Sequence, residues 1–205
     1  MDVLLQAAEN FRRLTFIKYR FILGKRNKMT DISIIFSEKD FHHLAGLQYL
    51  KDMPELKQSR SKIFNKIIAD ENFRKKIYKS TFYPNIEKRL YALIQLEFLL
   101  DNNNIIFRYD FRADKTSNIK ADFLIQTFDQ DNIEIYIFGE KMSDINTNNT
   151  QEVYCKSMFP KETKDYTRYQ SKFTVLKMIK SDTDSEMILK TYINNNFREN
   201  RISLP

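Results

Sequence analysis

Three glycines, four prolines, two histidines, one cysteine and no tryptophan in 205 residues set the first limits on this protein. The lone thiol, Cys155, cannot form an intrachain disulfide, and one Cys with two His falls short of the four ligands of a closed zinc site. Three glycines leave no Gly-x-Gly-x-x-Gly or Walker-type loop, and no Gly-x-Ser-x-Gly nucleophile elbow occurs. Nowhere do eighteen apolar residues run together. The chain starts with Asp2 and Glu9 around a short apolar pattern rather than with the basic start and apolar core of a signal peptide. The expectation is a soluble, cytoplasmic protein with no cofactor and no membrane partner, in which the sequon Asn148-Asn149-Thr150 has no consequence. With so few glycines and prolines, many turns must rely on Asn and Asp.

What the chain does hold is apolar bulk and positive charge. A 42% hydrophobic share with 17 Phe and 11 Tyr is ample for an aromatic core. The net charge of +7 is uneven: residues 10–28 carry seven Lys and Arg and no acid, and residues 57–79 carry eight against Asp70 and Glu71. Such clusters either bind a polyanion through counterion release or are solvated helix faces, and a membrane surface is the lesser alternative.

Residues 2–14 place Leu4 or Leu5, Ala8, Phe11 and Leu14 on one helical face. From Phe16 the period changes to two, with Ile17, Tyr19, Phe21 and Leu23, then Ile32, Ile34 and Phe36 after a connection at 24–28, which is a β-hairpin. Residues 59–100 return to helical spacing, interrupted near Pro84. The helix 85–100 is apolar over a wide arc, as in a central buried helix on which a sheet packs, and its Glu97 requires a partner or an exit to solvent. After the breaker Asn102-Asn103-Asn104, three period-two runs follow at 105–111, 119–125 and 133–137, with a hairpin at 129–132. A polar loop at 143–150, strands at 153–158 and 173–180 around a loop at 159–171, and a short element near 187–193 complete the chain. No repeat or linker divides it. The expected fold is one α+β domain over 1–205, with an N-terminal helix and β-hairpin, a helical middle carrying an insertion around 57–82, and a mostly antiparallel sheet in the C-terminal half.

Both histidines lie in residues 37–52. Ser37, three residues before Asp40, is a capping pair; Phe41, Leu44 and Leu47 recur at helical spacing, and Gly46 offers a stop. At about 100° per residue, His43 falls at the rim of the apolar face and His42 turns away, so His43 is expected to be the one held in place. The pattern Phe41-x-His43-Leu44-x-Gly46-Leu47, straight after an alternating strand, resembles the phage-associated branch of the barnase, EndoU, colicin and RelE-like nucleases, specifically its fourth subfamily. The resemblance implies that fold and a metal-independent ribonuclease, a toxin or effector of a phage or mobile element. RNA would be the substrate, and an inhibitor or antitoxin protein a further partner.

Cleaving RNA through its own 2′-hydroxyl needs a base for that hydroxyl, cations or donors on the phosphate, and an acid for the leaving oxygen. The richest polar stretch, residues 156–170, is either a solvated loop between strands or the other half of such a site. In the resembling family, late-strand residues face a histidine from an earlier helix. By their chemistry His43, Lys156 or Arg168, and Ser157, Thr167 or Tyr166 fit those three roles, and the resemblance carries over His43 with Ser157, Asp165, Thr167 and Gln170. The candidates are therefore His43 as general base with Ser157 and Thr167 as catalytic hydroxyls, and Lys156, Asp165, Tyr166, Arg168 and Gln170 as substrate-binding groups. No second well-placed histidine is evident, which leaves the general acid open. Two alternatives stand beside this reading: a metal-dependent nuclease built from Asp122, Glu134 and Glu140 on neighbouring strands, and a noncatalytic nucleic-acid-binding or protein-interaction accessory protein.

Overall fold

A computed structural model describes residues 2–102, 104–113, 117–142, 150–195 and 197. Asn103, most of the expected loop at 143–150 and the two asparagines of the sequon lie outside the described residues.

Helix α1 (Val3–Leu14) starts where the Asp2 carboxylate accepts the Leu5 N–H at 3.0 Å. It buries Leu4, Ala7, Ala8, Phe11 and Leu14. The hairpin follows as β1 (Ile17–Lys25) and β2 (Lys28–Ile35), with Tyr19, Phe21, Leu23, Ile32 and Ile34 all turned into the core. Its turn is tighter than the 24–28 connection expected from sequence: Lys25 pairs with Lys28, so only Arg26 and Asn27 link the strands, at φ +47° and +61°. Helices α2 (Glu38–Leu44), α3 (Arg60–Ala69) and α4 (Glu71–Tyr78) come next. Asp70 separates the last two by accepting the Phe73 N–H at 3.0 Å.

The apolar helix expected over 85–100 is two helices, α5 (Pro84–Ile94) and α6 (Leu96–Asp101). Gln95 breaks the ladder at ψ +6°, where its N–H turns back to the Ala92 carbonyl and the Asn10 amide donates to the Ile94 carbonyl at 2.9 Å. The break is a tertiary effect, since no Gly or Pro marks it. Glu97 does find a partner: the buried Lys180 ammonium lies 2.6 Å from its carboxylate and 3.0 Å from that of Asp101, which also accepts the Tyr19 hydroxyl at 2.9 Å.

The remaining strands are β3 (Ile105–Arg108), β4 (Phe123–Phe128), β5 (Glu134–Lys141), β6 (Gln151–Pro160), β7 (Ser171–Lys172), β8 (Thr174–Asp182) and β9 (Ile188–Ile193). Two expected strands are shorter than their alternation suggests. After Arg108 the chain turns through a 3-10 segment at Phe111–Ala113, and residues 119–122 are irregular ahead of β4. The sheet order is β7-β3-β4-β5-β6-β2-β1-β8-β9, antiparallel at every pairing except the parallel β2–β6. The N-terminal hairpin therefore sits in the middle of the sheet. Because β7 and β8 are separated only by Phe173, and pair with β3 and β1 respectively, the sheet curls until these strands approach one another. The result is a mixed α+β fold of six helices and nine strands among the described residues.

Alternation sends Ile106, Ile125, Ile135, Ile137, Val153, Cys155 and Met158 to the concave side, where they share one core with the helices. Phe107, Tyr109, Leu124, Tyr136 and Phe138 form a second, aromatic cluster on the opposite face, covered by Phe159 and Tyr166. No helix among the described residues is long and apolar enough to cross a membrane.

Candidate active site

The parallel β2–β6 pairing builds the site. Ile35 is the last residue of β2 to pair, opposite Tyr154, and β6 runs on past it while the chain leaving β2 turns into α2. Helix α2 begins as the sequence implies, with the Asp40 carboxylate accepting the Ser37 backbone N–H at 2.8 Å, and it ends before Gly46 at φ +76°. It thus presents His42 and His43 beside the C-terminal half of β6.

The two histidines exchange the roles expected of them. His42 is 8% exposed, so it is the imidazole that is held, against the backbone of Leu56 from the 3-10 turn Pro54–Lys57; His43 is half-buried. The reason is that residues 53–57 fold back over the side of α2 that a helical wheel leaves to solvent. Desolvation lowers the pKa of both rings. For His43 the charge of Arg60 adds to this and that of Lys156 acts in the same direction, against Asp40 and a hydrogen bond with Gln48.

Lys156 owes its position to a β-bulge. On β5, Phe138 pairs with Ser157 and Gly139 with Cys155, so Lys156 is the extra residue on β6. Its ammonium lies 2.5 Å from Glu140 Oε2, which also accepts the Tyr154 hydroxyl. Burial would raise the Glu140 pKa, but hydrogen bonds from Lys156 and Tyr154 hold it below the usual carboxylate range. Desolvation and Glu140 together push the Tyr154 phenol up to about 12, so it keeps its proton at neutral pH. The Lys156 ammonium, the Tyr154 phenol and the Glu140 carboxylate thus form one cluster on β5 and β6, and the charges of Lys156 and of Arg60 reach the neutral His43 imidazole on α2.

The other sequence-derived candidates fall elsewhere. Ser157 and Tyr166 line an adjoining cleft of about 640 Å³ with Arg89, whose guanidinium donates to the Met158 carbonyl at 2.8 Å and lies 5.0 Å from the ring centres of both Tyr49 and Phe159. Asp165 and Thr167 are bound to each other in a turn, with the Thr167 N–H and hydroxyl donating to Asp165 Oδ1 at 2.9 and 2.6 Å. Gln170 clasps the backbone of Asp110 through both ends of its amide, at 2.8 and 3.2 Å. Arg168 is exposed and lies over the ring of Tyr169. The structure therefore leaves His43 within reach of the Lys156 charge and spreads the remaining six around two clefts and a loop.

Sequence reasoning did not single out Arg60, Tyr154 or Arg89 for this site. Strand alternation places Tyr154 and Lys156 on one face, which was the available signal for the tyrosine; the two arginines carry none. The carboxylates of the metal-dependent alternative do not converge. Glu134 and Glu140 stand six residues, or about 20 Å, apart along β5, and each is paired with a lysine. Asp122 instead accepts the Lys141 N–H at 2.9 Å. Among the described residues no three His, Cys, Asp or Glu gather in a metal-binding arrangement.

Residues 3–195 match the family model described as phage-Barnase-EndoU-ColicinE5/D-RelE like nuclease4. The chain belongs to this family. None of the curated proteins and none of the solved structures matches the chain. Membership in this nuclease family makes nucleic acid the substrate class, and the α+β fold with its curled sheet fits it.

Proposed function

We propose that this member of the nuclease family is an endoribonuclease that cleaves RNA without a metal, by attack of the 2′-hydroxyl on the adjacent phosphate, and that it acts as one domain over residues 1–205. The observation that carries the proposal is the setting of His43. Burial and two cations keep its imidazole unprotonated and ready to accept a proton. The same cations, Arg60 and Lys156, supply charge for the phosphate and for the negative charge that builds on it as the ring forms.

In the proposed reaction the 2′-oxygen forms a bond to phosphorus while His43 takes its proton, and the bond from phosphorus to the 5′-oxygen breaks. The leaving oxygen needs a proton, for which Tyr154 is a fitting donor because its phenol remains protonated at neutral pH beside Lys156. Products are a 2′,3′-cyclic phosphate and a free 5′-hydroxyl. Ser157 follows Lys156 at the edge of the adjoining cleft and would contact the flanking nucleotide. Asp165 and Thr167 serve by fixing the loop that carries Tyr166.

The test incubates the protein with mixed RNA in excess EDTA and analyses the new ends. Cyclic phosphate ends, lost in His43→Ala and in Lys156→Ala but kept in a folded His42→Gln variant, are the expected result. A folded His43→Ala protein as active as wild type would remove the base, and cleavage abolished by EDTA would remove the metal-independent mechanism.

A further inference from the structure

Part of the positive charge that stands out in the sequence is already paired with carboxylates. Arg74 is buried against Asp2 at 2.6 Å, Arg20 pairs with Asp31 at 2.5 Å, and Lys75 pairs with Glu71 at 2.6 Å. A different set gathers without ion-pair partners among the described residues. Where the sheet curls, the tip of the β1–β2 hairpin faces β3, the 3-10 turn after it and the end of β5 across a cleft of about 1080 Å³. Lys25, Arg26, Lys28, Arg108, Arg112 and Lys141 line it, and among the described residues none of these six is in an ion pair. The two carboxylates of the cleft are turned to local backbone work: Asp110 accepts the Arg112 N–H and Asp122 the Lys141 N–H, each at 2.9 Å. Aromatic faces accompany the cations. Arg112 lies over Phe111, Lys25 over Phe173, and Tyr169, 72% exposed, lines the cleft with the Arg168 guanidinium against its ring.

The hairpin tip adds a second observation. Both of its residues have positive φ, a conformation that favours Asn, Asp or Gly, yet the first is Arg26 at +47°. The Arg26 cation thus stands at the mouth of a basic cleft at the cost of an unfavoured backbone conformation. From Lys28 the strand β2 runs eight residues towards α2, about 25 Å, so this cleft and the His43 region lie towards opposite ends of one strand.

We infer that the cleft is a binding site for single-stranded RNA, remote from the His43 region, that grips the backbone through its six cations and stacks a base on the exposed ring of Tyr169. Unpaired cations interleaved with exposed rings are the arrangement that holds single strands without sequence preference. The inference rests on the nuclease reading and extends it: long RNA is held at both places, and a dinucleotide reaches only the His43 region.

The experiment separates the two claims. Binding is read by fluorescence anisotropy with a labelled 2′-O-methyl oligouridylate, which lacks the attacking hydroxyl, across a salt series; cleavage is read with long RNA and with a dinucleoside monophosphate. In the combined variant Arg26→Asn, Lys28→Ser, Arg112→Gln, affinity is expected to fall about tenfold or more. The slope of log affinity against log salt should shrink by about 2, three contacts at about 0.7 each for single strands. KM for long RNA should rise while dinucleotide cleavage is unchanged. Arg26→Asn alone should keep or raise the melting temperature while weakening binding, which separates lost binding from lost folding. Unchanged affinity and salt slope in the folded combined variant would overturn the inference and leave the nuclease reading standing. Equal affinity of the wild type for inorganic polyphosphate would overturn the base-stacking part of it. Oligouridylate binding that needs these residues, in a protein that cleaves nothing, would sustain the site and sink the catalytic reading.

Discussion

Gly46→Ala probes how α2 is locked onto the rest of the site. Gly46 sits at φ +76°, and a Cβ there would come 2.8 Å from Arg89 Cδ and 3.2 Å from both Ile86 Cγ2 and Tyr49 Cδ2. The backbone alone costs about 1–2 kcal/mol for a left-handed alanine, partly offset by about 0.4–1 kcal/mol from the stiffer unfolded chain. A net of about 1 kcal/mol follows. The steric part is larger because Arg89 cannot simply swing aside: its guanidinium is tied to the Met158 carbonyl and sits against Tyr49 and Phe159. Shifting it weakens a charge-assisted hydrogen bond worth about 1.5–3 kcal/mol. The expected total is about 3 kcal/mol, of which about 2 belongs to Arg89. Urea unfolding of wild type, Gly46→Ala, Arg89→Ala and the double variant measures both parts. In the Arg89→Ala background Gly46→Ala should cost only about 1 kcal/mol. Equal costs in the two backgrounds, within about 0.5 kcal/mol, would show that the glycine serves the turn alone and that this packing argument is wrong.

Lys180→Met should destabilise by about 2–4 kcal/mol in chemical unfolding, because it removes the ammonium that Glu97 and Asp101 share, leaving Asp101 with Tyr19 and Lys190; the range allows for the carboxylates' partial exposure. Tyr19→Phe removes one bond to an Asp101 that keeps Lys180, and should cost only about 1–2 kcal/mol in the same assay. Folding lowers the pKa of His42 and His43, so the unfolded chain binds more protons than the native one just below pH 6.5. Their contribution to stability is present above that pH and is lost as the pH falls through the folded values. The melting temperature should therefore drop between pH 7 and 5, less steeply in His42→Gln. Bound phosphate offsets the Arg60 and Lys156 charges that hold His43 down, so the acidic limb of kcat should lie at higher pH than that of kcat/KM, and coincident limbs would refute this coupling.

Much of this molecule is legible in local sequence. The helical spacing of Ala8, Phe11 and Leu14, the capping pair at Ser37, the alternation of Tyr19, Phe21 and Leu23, the stop at Gly46 and the pattern around His43 are short-range signals. They placed α1, the hairpin and α2 and pointed to the nuclease family, because period and cap depend only on neighbours a few residues away. Pairing is another matter. Alternation says that a segment is a strand but not which strand lies beside it, so the insertion of the N-terminal hairpin between β6 and β8 was outside its reach. That insertion decides the site, since the parallel β2–β6 contact carries Lys156 towards α2 and the bulge on β6 frees it from the ladder. Tertiary structure likewise buried His42 instead of His43, split the apolar helix at Gln95 and sorted the basic residues into paired and unpaired. In each case the deciding partner, Leu56, Asn10 or Asp2, comes from a part of the chain that periodicity cannot see.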